Sequence, residues 1–552
     1  MTTPISISLP SGEQRTVDSP VRVNELLSGE TVDGHPIVAA MVNNQLVSLS
    51  YKIEVNATIS PITMQSPEGR QVYRRTLCFL LTMAQAQALP NRRLVIGHSI
   101  GEGYYYQSAD GADITPEEIA TIDRAMRDLV SRDLAIVRTV VSYEDALRYF
   151  RESGMDDTAL LLEHRNESKI PVYRCGEMMD ISHGPLLPTS GMVTAFEIQP
   201  FNQGLILRYP GSSDPYHLNE FYASPVLASV YQEYKQWGRI LGVGSAGQLS
   251  ALTRQNRIRE FIRVAEALHD KKIGEISDRI EARRDDVRVV LIAGPSSSGK
   301  TTFAKKLSVQ LTVHGFQPVA VSLDDFFVPR DETPRDEQGN FDFEHIKAID
   351  IDLLNETLLR LLDGQSVEMP EFDFKTGSRR YAGRMLQLPE RGLLLIEGIH
   401  GLNPDLIPRV DRDSSYRVYL SALTQLNLDD HNRVPTTDNR LIRRLVRDHQ
   451  FRGHTAIGTL TMWPSVRRGE DRNIFPFQDS ADSAFNSALD YELGVLKNFA
   501  EPLLQQVKPT HAVYHEASRL SSFLSNFTRI PEKYVPEHSI LREFIGDSGF
   551  KY

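Results

Sequence analysis

The spacing of apolar residues along the chain changes in character several times. At the N-terminus apolar and polar positions alternate, as at Ile5, Ile7 and Leu9, which predicts strands with one buried face. We expect residues 1–62 to form a small strand-rich module and residues 63–225 a separate α+β domain. Within these two segments the pattern predicts helices near 21–27, 116–131 and 142–153 and strands near 37–41, 53–59, 136–141 and 193–198.

The second half of the chain shows two further patterns. Between 226 and 285, apolar residues such as Ile258, Phe261 and Ile262 recur three and four positions apart, which predicts a helical connector. From 286 to 552, strand patterns alternate with helical ones, as expected for a parallel α/β sheet covered on both faces. The predicted fold class is therefore multidomain, α+β followed by α/β.

A phosphate-binding loop is predicted at Gly294–Thr301, which fits G-x-x-x-x-G-K-[ST] at every fixed position. The apolar run 287–293 before it predicts a buried strand, and 303–314 after it predicts a helix that Gly315 ends. In such a loop the backbone N–H groups, the helix N-terminus and a lysine hold nucleotide phosphates, and the Ser/Thr hydroxyl binds Mg²⁺. The predicted ATP-binding residues are Gly294, Ser296, Ser297, Ser298, Gly299, Lys300, Thr301 and Thr302.

Acidic residues follow two more predicted strands. The strand 318–323 leads into Asp324 and Asp325, and the strand 393–396 leads into Glu397. Strand ends at the carboxyl edge of an open α/β sheet are where ligands bind. Asp324 is the candidate general base and a metal ligand, and Asp325 is the alternative for the metal or a cap of the next segment. Glu397 is the candidate second acid near the metal, with Thr301 as its neighbour.

An arginine-rich helix is predicted near 439–448. Leu441, Leu445 and Asp448 fall on one face, and Arg440, Arg444 and Arg447 fall on another. Such a stripe is commonly solvated. After a kinase-like core, however, a lid commonly supplies cations to the transferring phosphoryl group, and we favour that role.

Composition narrows the class of protein. The net charge of -11 argues against a protein built mainly to neutralise nucleic-acid phosphates. Cys78 and Cys175 have no metal-ligand spacing and form no disulfide framework, which fits a reducing compartment. The sequence carries no signal-like segment at its start and no run of ~20 apolar residues. We therefore expect a soluble, cytoplasmic protein.

Six motifs in order make residues 286 to about 525 resemble the uridine kinase and phosphoribulokinase family. They are Gly294–Thr301, 322–327, 340–345, 370–374, 396–399 and 443–448. The resemblance implies Mg²⁺ and ATP as cofactors, with Asp324 as base, Lys300 and Thr301 on ATP and Mg²⁺, and Glu397 supporting the metal. It also implies that Arg447 and Arg452 clamp phosphates.

The same resemblance leaves the acceptor open. Candidate substrate residues are Glu344, Phe372, Arg444 and His454. Uridine kinases usually place an Asp at or next to Glu344, a Tyr at Phe372 and an Arg at His454, with a His at Gly377 and a Gln near Met462. Because a site that hydrogen-bonds its substrate discriminates strongly, these replacements imply a changed acceptor preference.

The N-terminal part resembles two modules of threonyl-tRNA synthetases. Residues 1–62 are similar to the β-grasp TGS domain, and residues 63–225 to the editing domain, through 96–106, 115–118, 173–174 and 180–185. Editing domains use an H-x-x-x-H pair and a later Cys and His. Here Arg75, Phe79, Ser182 and Leu186 stand at those positions, so the resemblance implies a scaffold, a ligand sensor or an RNA-contacting surface. Arg70, Arg74 and Arg75 are candidates for phosphate contact, although three such arginines commonly form a solvated helix face.

The sequence hypothesis is a Mg²⁺- and ATP-dependent kinase for a hydroxyl of a nucleoside or a related small molecule. One alternative is an RNA-binding regulator with a nucleotide switch, and another is a kinase for a non-nucleoside acceptor. RNA contact through the N-terminal modules and a homo-oligomer are both compatible with the sequence.

Overall fold

The computed structural model describes residues 4–27, 31–336, 339, 341–373 and 376–551, except for the side chains of 229, 232, 235, 236, 239 and 240. Asn340 and Phe374, which belong to the sequence motifs above, lie outside the described residues.

Alternating apolar residues build the first sheet. Ile5 and Ile7 of the first strand point into a core that also contains Ile59, and the polar residues between them face outward. The sheet has the order β2-β1-β8-β5-β4, with β6 paired to β5. The elements are β1 (Pro4–Ser8), β2 (Gln14–Asp18), β3 (Val21–Arg22), α1 (Val23–Leu26), β4 (Thr31–Val32), β5 (His35–Val42), β6 (Gln45–Val47), β7 (Lys52–Ile53) and β8 (Ala57–Thr63).

Two antiparallel sheets and long helices follow, in the orders β14-β15-β10-β9 and β11-β12-β13. The helix α3 has the predicted bounds because Thr115 and Glu118 form a capping box before it. The elements are α2 (Pro67–Ala88), β9 (Leu94–Ser99), β10 (Gly103–Ser108), α3 (Pro116–Ser131), β11 (Val137–Ser142), α4 (Tyr143–Glu152), α5 (Asp156–Glu163), β12 (Lys169–Cys175), β13 (Met178–Asp180), β14 (Glu197–Phe201) and β15 (Gly204–Arg208).

The strand predicted at 193–198 begins later, at Glu197. The strand begins late because the side chain of Tyr73 binds the backbone of residues 194–195. The backbone N–H groups of Thr194 and Ala195 donate to the hydroxyl of Tyr73, at 3.1 and 2.8 Å, and that hydroxyl donates to Ala195 O. A tyrosine on α2 thus takes the place of a neighbouring strand.

Three helices connect this region to the C-terminal sheet: α6 (Pro225–Leu241), α7 (Ala246–Arg254) and α8 (Ile258–Glu281). The predicted stripe on α8 is buried, including Ile258, Phe261 and Ile262, and it packs in one cluster with the C-terminal sheet.

The C-terminal sheet is parallel throughout, in the order β17-β20-β16-β21-β22. Its central strands are apolar up to Glu397, the last residue of one of them, because both faces of the sheet are covered. The elements are β16 (Val289–Ala293), α9 (Lys300–Val313), β17 (Gln317–Ser322), α10 (Ile351–Leu362), β18 (Val367–Asp373), β19 (Ser378–Leu386), β20 (Gly392–Glu397), β21 (Ser415–Ser421), α11 (Thr436–Arg452), α12 (Ala456–Asn473), β22 (Ser483–Asn486), α13 (Glu492–Leu504), α14 (Tyr514–Ser525) and α15 (Arg542–Ile545).

Residues 427–433, between β21 and α11, bind the N-terminal region, and we call them the docking segment. The Asp429 carboxylate lies 3.2 Å from His183 Nε2, and the Asp180 carboxylate lies 2.8 Å from His431 Nδ1. Arg93 donates to Asp430 at 2.7 Å. The buried backbone N–H of Thr158 also donates to Asp430, and Asn427 Nδ2 donates to Ile96 O. Charged pairs therefore join the two parts of the chain.

Candidate active site

The turn from β16 to α9 requires two unusual backbone conformations. Gly299, directly before α9, has φ +83°, and Ser297 has φ +60°. At Gly294 an added Cβ would lie 2.4 Å from Leu420 O on the adjacent strand. The positive φ therefore explains the glycine at 299, and the close approach of Leu420 O explains the glycine at 294. The loop follows the central strand, as the sequence predicts.

Polar groups of the loop are buried without partners. The hydroxyls of Ser297 and Ser298 have no hydrogen-bond partner within the described chain and are closed off from solvent. The ammonium group of Lys300 donates to Gly294 O and Pro295 O, at 3.0 and 3.2 Å. Burial lowers the pKa of Lys300, and the nearby Glu397 opposes that shift. Unsatisfied buried donors of this kind fit a bound anion.

The predicted acids lie at the same sheet edge. Glu397 is the last residue of β20, and it accepts a hydrogen bond from Thr301 Oγ1 at 3.3 Å. Burial, with repulsion from Asp324, raises the pKa of Glu397 to about 7. Asp324 is exposed in a short 3-10 turn after β17, whereas Asp325 forms a 3.2 Å ion pair with Arg384 of the β18–β19 hairpin. This pairing favours Asp324 over Asp325 for the chemistry.

Two carboxylates from distant parts of the chain bind the loop's backbone, and sequence analysis missed both. Glu470 Oε1 accepts from Ser296 N at 2.9 Å. Glu543 Oε2 accepts from Thr302 N at 3.0 Å and from Thr302 Oγ1 at 2.8 Å. These residues are 174 and 241 positions from their partners, so no local sequence pattern marks them. The carboxylates bind backbone donors of the kind that hold phosphate oxygens in such loops.

Three arginines of α11, Arg440, Arg443 and Arg444, contact the loop and are not solvated. Arg440 forms a buried ion pair with Glu470, and its Nε donates to Ser296 O at 2.9 Å. Arg443 is fully buried, donates to Ser297 O at 3.3 Å and pairs with Glu492. Sequence analysis missed the structural role of Arg443, because buried arginines look identical to solvated ones in a sequence.

The sequence analysis placed Asp448 on a different face of α11 from Arg444 and Arg447. That division was partly wrong, because both arginines bind the Asp448 carboxylate. Arg444 Nε and Arg447 Nη2 donate to its carboxylate at 3.1 and 3.3 Å, and Arg452 lies 3.7 Å from it. Arg444 also donates to Ser296 Oγ at 2.8 Å. Burial and the neighbouring Arg452 lower the pKa of Arg447 to about 10. Arg452 is half-exposed at the end of the helix.

Of the candidate substrate residues, three are partly buried and one is exposed. Glu344 packs on Gly469 of α12, and burial raises its pKa, opposed by Arg444. The ring of Phe372 lies 5.6 Å from that of Phe327. His454 is exposed, with its backbone N–H donating to Asp448 O. The structure therefore brings Glu344 and Arg444 together, and the role of His454 stays a prediction.

Comparison with known proteins decides the class of this site. Residues 289–493 match the model of the phosphoribulokinase / uridine kinase family. The matched segment contains the loop, Asp324, Glu397 and α11. Residues 289–493 form a kinase domain of this family.

The N-terminal region matches threonine-tRNA ligases. The ligase of Symbiobacterium thermophilum is 31% identical over 201 residues, which cover 36% of this chain and 31% of that protein. The ligase of Coxiella burnetii is 30% identical over 195 residues, covering 35% of this chain and 30% of that one. The chain thus spans about a third of the length of these relatives.

Two solved structures each align with part of the chain. A putative fructose transport system kinase from a Silicibacter species is 18% identical, covers 39% of this chain and 98% of its own, and has a TM-score of 0.25. A possible uridine kinase from Bacillus stearothermophilus is 24% identical, covers 36% and 89%, and has a TM-score of 0.24.

The kinase domain offers oxygen ligands that suit Mg²⁺, although no group of three or more His, Cys, Asp or Glu within the described ranges has metal-binding geometry. The Thr301 hydroxyl and the Glu397 carboxylate are in contact, and Asp324 is close enough to raise the pKa of Glu397. A hydroxyl, two carboxylates and phosphate oxygens form the ligand set that magnesium takes in phosphate-loop enzymes. The residues present therefore fit MgATP.

The four residues that replace the editing residues also lie together. Arg75 and Phe79 are on α2, and the Arg75 guanidinium packs against Gly184. Ser182 donates to Gly184 O at 2.8 Å, and Leu186 packs in the same core cluster as Phe79. His183 binds Asp429 of the kinase domain.

Across the described ranges, no helix has the length and apolarity needed to cross a membrane.

Proposed function

We propose that this chain is a Mg²⁺- and ATP-dependent kinase that transfers the γ-phosphoryl group to a hydroxyl of a nucleoside or a related small molecule. One observation carries the proposal: the phosphate loop, Asp324, Glu397 and the arginines of α11 all lie at the same edge of the parallel sheet. Phosphoryl transfer depends mainly on positioning and charge stabilisation, and this edge supplies both.

Each residue has a role that follows from its position. Bound MgATP supplies the transferable phosphoryl group, and Thr301, Asp324 and Glu397 would hold the metal. Loop N–H groups and Lys300 bind phosphate oxygens. Asp324 would accept the proton of the acceptor hydroxyl as that oxygen bonds to the γ-phosphorus, while the bond from this phosphorus to the bridging β–γ oxygen breaks and ADP leaves. Arg444 and Arg447 neutralise negative charge on the transferring group, and Arg452 assists from the end of α11.

A nucleoside-like acceptor is supported by a cluster of aromatic residues that follows Asp324. The ring of Phe327 lies 5.6 Å from that of Phe372 and 6.4 Å from that of Phe343, which is exposed. Glu344 lies near Arg444 and supplies a carboxylate for hydroxyl groups. Flat apolar walls with one acid suit a ring compound that carries hydroxyls.

The test is an acceptor screen with purified full-length protein, Mg²⁺ and ATP, following acceptor-dependent ADP release. Nucleosides, sugars, sugar phosphates and polyols form the panel, and omission of Mg²⁺ is the control. Turnover of a nucleoside supports the proposal in full. Turnover of only a sugar phosphate or polyol keeps the kinase and overturns the nucleoside acceptor, and ATP binding without any turnover overturns the proposal.

A further inference from the structure

A second cluster of arginines contains residues of α2 and of the docking segment and includes none of the arginines that contact the phosphate loop. We call it the arginine cleft and define it as Arg74 and Arg75 of α2, Tyr104, Tyr209, and Arg433 of the docking segment. The Arg74 guanidinium lies 4.2 Å from the Tyr209 ring, and that of Arg433 lies 5.4 Å from the Tyr104 ring. The two tyrosine rings are 4.8 Å apart. The cleft is therefore built from both parts of the chain.

None of these three arginines forms a salt bridge within the described chain. Arg74 donates to Pro210 O at 3.4 Å, and Arg75 donates to Gln71 Oε1 at 3.2 Å. Arg74 Nε and Arg75 Nη1 are closed off from solvent and have no hydrogen-bond partner among the described residues. By contrast, Arg70 on the same helix donates to Met64 O and Gln65 O.

The acidic residues near the arginine cleft form ion pairs with other residues. Asp438 and Glu516 both bind Arg519, Asp180 binds His431, and Asp429 binds His183. Burial and repulsion from Arg519 lower the pKa of Arg75, with Asp438 opposing the shift. Burial raises the pKa of Cys78 to about 11, so the nearby thiol is not a counter-ion. Three cations thus remain without an acid in a chain of net charge -11.

Holding charged groups without partners in a partly buried site is costly, and proteins neutralise such groups with a counter-ion or a ligand. Guanidinium groups bind phosphate and carboxylate through paired N–H donors. Tyr104 and Tyr209 add aromatic surface beside the cations. We propose that the arginine cleft is a second ligand site, which binds a small molecule carrying a phosphate or carboxylate group next to a ring. This proposed site shares no residue with the proposed nucleotide site, and binding to it does not require kinase activity.

The experiment measures binding of phenyl phosphate and of benzoate to the full-length protein by titration calorimetry. The variants are Arg75→Gln, Arg433→Gln and Arg124→Gln. Arg124 is an exposed arginine of α3 and gives the same change in charge. A fourth variant, Lys300→Ala, tests whether the probe binds at the phosphate loop. Thermal unfolding of each variant tests whether it is folded, and Arg433→Lys replaces Arg433→Gln if the latter unfolds.

We expect Arg75→Gln and Arg433→Gln each to weaken binding of one probe about tenfold or more, the loss typical of one charge-assisted contact. Arg124→Gln and Lys300→Ala should leave that affinity unchanged. The probe that binds distinguishes a phosphate ligand from a carboxylate ligand. Loss of binding only in Lys300→Ala would place the anion at the phosphate loop and overturn the inference while leaving the kinase proposal intact. Absence of binding by both probes would overturn it as well.

Discussion

The phosphate loop and the arginine cleft both gather arginines, but they differ in what neutralises them. Around the loop, Arg440 binds Glu470, Arg443 binds Glu492, and Arg444 and Arg447 bind Asp448. In the cleft, Arg74, Arg75 and Arg433 have no acid partner within the described chain. Carboxylates of the fold neutralise the arginines around the loop, whereas the proposed ligand would neutralise the arginines of the cleft. Charge pairing thus separates a preorganised site from one that a ligand completes.

The largest expected effect is on catalysis at the loop. Asp324→Asn should lower kcat about 10²- to 10⁴-fold, the scale of losing a general base, while ATP binding remains. Asp325→Asn is the matched control, because Asp325 is paired with Arg384. Steady-state kinetics on the acceptor found in the screen provide the measurement. Equal losses in both variants would show that Asp324 has no special role.

The buried pairs around the loop provide the next test. Arg443→Met leaves Glu492 buried without its cation and should lower the free energy of unfolding by about 3–5 kcal/mol. Adding Glu492→Leu should recover most of this loss. Arg412→Met removes a surface pair with Asp482 and should cost at most about 1 kcal/mol. Denaturant unfolding of the three variants measures the difference, and a loss under 1 kcal/mol for Arg443→Met would mean that the pair does not organise the site.

The docking segment should give the protein a pH-dependent stability. Asp180, with Asp429 and Asp430 nearby, raises the pKa of His431 to about 9 against the effect of burial. Burial raises the pKa of Asp180, and the charge and hydrogen bond of His431 oppose that shift. Between pH 6.5 and 9 the folded state then holds a proton that the unfolded state has lost, so stability falls as pH rises.

This contribution is fully present below pH 6.5 and amounts to at most about 3 kcal/mol. His431→Asn should flatten the dependence of the unfolding free energy on pH over that range. Denaturant unfolding at pH 6.5 and 9 measures it. An unchanged slope in the variant would remove His431 as the cause.

The smallest expected effect concerns Glu543, whose carboxylate is hydrogen-bonded to Thr302. Glu543 accepts a hydrogen bond from Thr302 N. A phosphate group that binds this N–H must displace the Glu543 carboxylate, and the two negative charges repel each other. Glu543→Gln should therefore tighten MgATP binding about tenfold, or ~1.4 kcal/mol. Glu537→Gln removes the same charge from an exposed position in the same C-terminal segment and should change little. Weaker binding in Glu543→Gln, measured by calorimetry, would instead make Glu543 part of the nucleotide site.

Local patterns in the sequence predicted the elements that carry the loop. The strand before Gly294, the helix after Thr301 and the buried positions Phe303, Leu307 and Leu311 are all confirmed, because they depend on periodicity and glycine conformation. The partners of the arginines were not predictable. Glu470 and Glu492 meet Arg440 and Arg443 only through tertiary packing, and a buried ion pair breaks the rule that charged residues face solvent.

The docking segment has a consequence for how this protein could be divided or recombined. Asp429, Asp430 and His431 would each lose a partner if the kinase domain were separated from the N-terminal region, and Asp180, His183 and Arg93 would lose theirs on the other side. A kinase from another protein could replace this one only if it brought an equivalent segment between its fourth sheet strand and its arginine helix. Replacing either part would therefore require matching changes in the other at the partners of residues 427–433.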